Sequence, residues 1–152
     1  MPSRRTFLAV MAAFALSRPL AGTAGPHKGI YYAEDGLALD GYDPVAYFTR
    51  GRAVRGSPAY AVMWKGAIWQ FASNRNRDLF EANPYAFAPQ YGGFCAYGVA
   101  MGMAIASDPT AWQIVDGRLY LTHSHIVQRV WKMDTKHLIQ TADSHWPAVL
   151  HR

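Results

Sequence analysis

Cys95, Met101, Met103, His123 and His125 are the side chains in this chain best suited to soft-metal chemistry. A thiolate, two thioethers and two imidazoles together suit copper better than zinc, because thioether sulfur selects the softer ion. His123 and His125 are two apart, so on a strand continuing past Leu121 their rings share one face. Plainer roles exist for each: Met101 and Met103 as core fillers, and the two histidines as polar residues near a helix start. Cys95 is the only cysteine, which excludes an internal disulfide. Its sulfur is therefore a small buried hydrophobe, a metal ligand, or a thiol doing redox or nucleophilic work.

Cys95 lies in a run, Tyr85 to Met103, unlike the rest of the chain in composition. Gly92, Gly93, Gly98 and Gly102 allow backbone conformations closed to other residues, or close approach to another group. That is a site loop or a tight packing junction. Other catalytic groups are poorly represented. Asp40, Asp43, Asp108 and Asp116 are available for acid/base work, yet Asp43-Pro44, Asp108-Pro109 and Asp116-Gly117 are each explained by turns. There is no nucleophile motif, carboxylate pair or phosphate loop.

The elements that must position these groups follow from hydrophobic period. Tyr60, Val62 and Trp64 alternate before Lys65-Gly66, and Trp69 and Phe71 alternate after it, which predicts a hairpin with aromatic cross-strand pairs. Ser73 or Asn74 then caps a helix to about Ala82, with Leu79 and Phe80 inward and Asn83-Pro84 as the stop. The unit recurs with an offset of 51: Gly66, Ile68, Trp69, Ser73 and Phe80 map onto Gly117, Leu119, Tyr120, Ser124 and Trp131. The second hairpin turns at Asp116-Gly117, a type I′ signal. A helix follows with Ile126, Val127, Val130 and Trp131 as its apolar stripe, and a last helix covers Thr135 to His145. Leu39 to Phe48 is expected to hold a short strand or helical turn around Asp43-Pro44. The expected class is α+β: small antiparallel hairpins packed with helices, with a duplicated hairpin–helix unit.

Net charge is +5 for the whole chain, but Arg4, Arg5 and Arg18 fall in an N-terminal segment with no acid, leaving 12 basic against 10 acidic residues. So nearly neutral a balance, with basic residues in short groups, argues against nucleic-acid binding. Ser3 to Leu8 reads Ser-Arg-Arg-Thr-Phe-Leu, followed by the apolar run Ala9 to Leu16 and a small-residue tract from Ala21 to Gly25. This resembles a twin-arginine export signal, with cleavage between Ala24 and Gly25. The apolar run falls short of the roughly 20 residues a membrane span needs. The expectation is residues 1–24 as signal peptide, 25–36 as a linker or loosely attached arm, and 37–152 as one domain. The twin-arginine translocase is its expected carrier and the periplasm its destination, with no stable span after cleavage.

Three segments carry a family resemblance: Leu39-Asp-Gly-Tyr-Asp-Pro-Val-Ala-Tyr-Phe48, the tract Trp69 to Phe80, and Pro89-Gln-Tyr-Gly-Gly-Phe-Cys-Ala-Tyr-Gly98. They look like the exported YHS-domain proteins, over essentially the whole domain. Some members of that family carry selenocysteine in the glycine-rich motif, at the place of Cys95, so the resemblance implies that this sulfur is chemically used. The metal-binding cysteine pairs of the wider YHS group do not carry over, because this chain has one cysteine. The resulting expectation is a periplasmic metal-binding (copper favoured) or thiol-redox accessory centred on Cys95, with an unknown periplasmic partner. The alternative is a non-catalytic ligand- or protein-binding module with Tyr42, Tyr47, Tyr91 and Tyr97 lining a pocket beside the glycine loop.

Overall fold

Lys65-Gly66 and Asp116-Gly117 both take left-handed backbone at both turn positions, φ 51° and 78° in the first and 50° and 74° in the second. That is the type I′ geometry whose twist matches paired strands. In the computed structural model, which describes residues 29–152, each turn closes a hairpin: β3 (Ser57–Trp64) with β4 (Ala67–Phe71), and β5 (Asp108–Val115) with β6 (Arg118–Thr122). The two ladders agree residue for residue at the offset of 51. Ala61↔Gln70 to Trp64↔Ala67 in the first corresponds to Trp112↔Leu121 to Val115↔Arg118 in the second. Even the register break recurs, between Ser57 and Ala61 and between Asp108 and Trp112.

Each hairpin leads into a helix capped by serine, whose hydroxyl takes the third N–H of the first turn. Ser73 accepts from Asn76 at 3.1 Å to start α2 (Asn74–Ala82), and Ser124 accepts from Val127 at 3.2 Å to start α5 (His125–Met133). Asn83 and Asp134 end these helices in similar non-helical conformations, and α3 (Pro84–Phe87) and α6 (Thr135–His145) follow. Phe80 and Trp131 are the buried anchors. Leu79, Ile126 and Val130, expected inward, are instead exposed. At about 100° per residue, a helix aimed through Phe80 or Trp131 turns these neighbours away from the core.

Leu39–Gly41 forms a 3₁₀ turn and Ala46–Thr49 a short helix, α1, so the Asp43-Pro44 region is a helical turn rather than a strand. The matching pieces of the second half are the turn Gln90–Gly93 and α4 (Ala96–Ala100). The fold is α+β, and the duplication reaches beyond the hairpin–helix unit.

Within the segment expected as a linker or arm, the described residues from 29 onward pack against the domain. β1 (Ala33–Glu34) pairs antiparallel with β2 (Leu37–Ala38), and β2 joins β4 through the parallel pair Leu37↔Ile68, giving the order β1-β2-β4-β3. Tyr31 stacks against Trp64 and Trp69, with ring centroids 5.0 and 5.2 Å apart. The Tyr32 amide donates to the Gly92 carbonyl at 2.8 Å. Two adjacent aromatics supply enough apolar area to hold a segment that lacks periodicity. The signal segment, the Ala24–Gly25 cleavage point and the first residues of the linker lie outside the described residues.

Two cores result. One gathers Val45, Tyr47, Trp69, Phe71 and Phe80, the other Phe94, Val99, Tyr120, Trp131 and Val149. Strand β6 joins them through its period of two: Leu119 and Leu121 enter the first core and Tyr120 the second. The glycine-rich loop runs along this junction.

Candidate functional site

Cys95 is the N-cap residue of α4, and its side chain is fully enclosed, with 0% exposure. Its Sγ accepts the backbone N–H groups of Gly98 at 3.3 Å and His123 at 3.2 Å, while its own N–H donates to the Ile105 carbonyl at 3.0 Å. Burial pushes the thiol up from its ordinary range, against a smaller opposite pull from the backbone N–H groups of Gly98, His123 and Tyr97. At neutral pH this is a protonated, sheltered thiol.

Asp43 occupies the corresponding place in the first half, which the sequence reading assigned to a simple turn. It too is fully buried. Its Oδ1 accepts from Val45 N at 2.8 Å and Ala46 N at 3.3 Å, and its Oδ2 from Ala72 N at 2.9 Å and Asn76 Nδ2 at 2.7 Å. Its N–H donates to the Val54 carbonyl at 2.8 Å. Ala72 and Val54 are the counterparts of His123 and Ile105 at the same offset, so Cys95 and Asp43 are one device used twice. Cys95 caps α4, Asp43 accepts the N–H groups of Val45 and Ala46 that lead into α1, and each ties its short helix to the strand–helix junction of its own half. One residue more separates Asp43 from Cys95 than separates their partners, and the side chains differ, which hid the match in the sequence.

Of the other expected ligands, His123 reaches this sulfur through its backbone N–H, while both histidine rings are engaged elsewhere and the two methionines are exposed. Strand β6 ends at Thr122, so His123 and His125 do not share a strand face: His123 lies in a bend and His125 opens α5. The His123 ring meets the Ala106 carbonyl at 2.8 Å, and the His125 ring meets Thr110 Oγ1 at 3.0 Å. Met101 and Met103 are 47% and 51% exposed, neither core fillers nor enclosed ligands. Among the described residues, no three His, Cys, Asp or Glu side chains converge on a metal position. The hydrogen-bond partners recorded at the Cys95 sulfur are backbone N–H groups.

The glycines have a packing function. A side chain at Gly92 (φ +60°) would overlap the Ile30 carbonyl, and at Gly98 it would come within 2.7 Å of Ile105 Cγ1. Gly93 faces Pro89 at 3.1 Å by the same measure. The loop thus seats the arm on one side and the 104–106 segment on the other.

That seating leaves a cleft of about 460 Å³, walled by the rings of Tyr31, Tyr32 and Phe94, by Ala33, Ala104 and Ala106, and by Lys65 and Gly66 of the first hairpin turn. Its size lies in the range of small-molecule sites. The 104–106 segment separates it from Cys95: Ala104 and Ala106 face the cleft, while the Ile105 and Ala106 carbonyls hold Cys95 and His123. The tyrosines expected to line a pocket are mostly engaged elsewhere. Tyr47 is buried with its hydroxyl on the Pro109 carbonyl, Tyr42 lies under Arg55 at 4.8 Å, and Tyr97 packs on the second core. Tyr91 borders a second, smaller cleft. Sequence reasoning missed Tyr31, Tyr32, Lys65 and Phe94, although two adjacent tyrosines in the arm were a usable signal.

The Cys95 geometry predicts that iodoacetamide leaves the native thiol unmodified at neutral pH and labels it only on unfolding. Because the folded pKa is raised, stability contributed by this thiol is complete below the unfolded pKa, near 9.0, and declines as pH rises above it. The alkaline loss measured by urea unfolding should therefore be smaller in Cys95→Ser. Native labelling at the rate of a free thiol would overturn this picture.

No protein-family profile, curated protein or solved structure matches this chain.

Proposed function

We propose that this chain is an exported, YHS-like, non-catalytic module that binds a small molecule in the 460 Å³ cleft between the arm, the first hairpin turn and the 104–106 segment. The single observation that carries this reading is the cleft's make-up. Three aromatic rings give an apolar wall, and the exposed Lys65 supplies a cation at the rim. Such a site favours a planar aromatic molecule bearing an anionic group: stacking holds the ring plane, and the ammonium orients the charge. Delivery by the twin-arginine route follows from the resemblance at Ser3 to Leu8, and suits a protein that folds before it crosses. The enclosed, protonated Cys95 favours this module over a thiol-redox or copper accessory.

The test uses 8-anilinonaphthalene-1-sulfonate, an aromatic anion, titrated into the folded protein. Saturable one-to-one binding is expected, weakened at least about tenfold in Lys65→Glu, which replaces an attractive charge at the rim with a repulsive one. Cys95→Ser should bind like the wild type. Equal affinity in wild type and Lys65→Glu, or binding that depends on Cys95, would remove this reading.

A further inference from the structure

The smaller cleft, about 160 Å³, lies where the arm crosses the glycine loop and is bordered by Tyr31, Tyr85, Tyr91, Trp146, Gln90 and Ile30. Its rings come as two groups. Tyr31 and Tyr85 each lie against Trp64, with centroids 5.0 and 5.2 Å apart, while Tyr91 and Trp146 meet edge to face at 6.1 Å. Four aromatic residues from the arm, α3, the glycine loop and the chain's C-terminal segment thus border one space. Packing alone does not account for them, since Tyr85 stays 66% exposed. Ring faces carry partial negative charge. No lysine or arginine is among the residues described around this space. Behind the lining, the Tyr91 hydroxyl donates to Asp143 Oδ1 at 2.8 Å, and this carboxylate acts on the phenol more strongly than the Arg118 guanidinium does.

We propose that this cleft is a binding site for the methylated ammonium head of a free small molecule, held by cation–π contact with Tyr31, Tyr85, Tyr91 and Trp146. Methylation matters because a bare ammonium is strongly hydrated and a half-apolar pocket cannot replace that water. A quaternary head keeps the charge, sheds water easily and offers methyl groups to the rings. The phenols are suited to this role. Burial and Tyr85 push Tyr31 up to about 12, and burial with the Asp143 contact raises Tyr91, so both rings stay uncharged through neutral pH.

This site is distinct in chemistry from the Lys65 cleft, and it is tested with different probes. Choline and its uncharged isostere 3,3-dimethylbutanol are titrated into the folded domain, followed by proton NMR of their methyl groups. Saturable choline binding with upfield methyl shifts is expected, with the isostere about tenfold weaker. Tyr85→Leu should weaken choline about tenfold and Tyr85→Phe should restore it. Because Tyr85 is mostly exposed, both variants should keep the wild-type circular dichroism spectrum. Equal binding of choline and isostere, no choline binding, or unchanged affinity in Tyr85→Leu would overturn the proposal. Capture by phosphatidylcholine vesicles without binding of free choline would overturn its assignment to a small molecule.

Discussion

Asp43→Ala should be among the most damaging single substitutions in the domain, lowering unfolding free energy by about 3–5 kcal/mol. The carboxylate is fully buried and accepts four N–H groups, from Val45, Ala46, Ala72 and Asn76. Removing it strands these donors, and each unsatisfied buried donor costs on the order of 1–3 kcal/mol, reduced where water can enter. Asp43→Asn keeps one acceptor oxygen but turns an amide NH₂ toward other donors, so an intermediate loss is expected. Cys95→Ala, which removes a weaker sulfur acceptor from the equivalent place, should lose less than Asp43→Ala. The measurement is urea unfolding with a common m-value across the set, so that midpoints report stability directly. A loss below about 1 kcal/mol for Asp43→Ala would show that the junction does not depend on this carboxylate.

Gly92→Ala is expected to release the arm and to abolish ligand binding at both clefts, with a stability loss of about 2–4 kcal/mol. Two costs combine. The residue holds φ +60°, a conformation side chains rarely adopt, and its Cβ would overlap the Ile30 carbonyl, a backbone atom that cannot swing away. The Tyr32 N–H bond to the Gly92 carbonyl would go with it, and the Tyr31 and Tyr32 walls would follow. Gly117→Ala is the matched control. It has φ +74° but open space around its would-be Cβ, so it should lose only about 1 kcal/mol and keep both sites. Hydrogen exchange at residues 31–36 separates the two cases: rapid exchange is expected in Gly92→Ala and wild-type protection in Gly117→Ala. Protection retained in Gly92→Ala would mean the arm is held by other contacts.

Local chemistry was legible in the sequence by itself. The Lys65-Gly66 and Asp116-Gly117 turns, the Ser73 and Ser124 caps, the stop at Asn83-Pro84 and the span Thr135–His145 are decided by neighbours a few residues away, and they stand as read. So does the recurrence of the hairpin–helix unit, because hydrophobic period and turn chemistry repeat together. Only the tertiary structure decided the rest. Whether Ile126 and Val130 face inward depends on how α5 is aimed over β5 and β6, and Trp131 alone anchors it. The arm was unreadable because its order comes from a distant carbonyl at Gly92 and from rings of the other strands. Cys95 had three open roles in the sequence, and burial with two N–H donors from Gly98 and His123 makes it a cap. The shared function of Asp43 and Cys95 was hidden for the same reason: a carboxylate and a thiol look unrelated as residue types, and become equivalent only when the fold aims the same backbone donors at both.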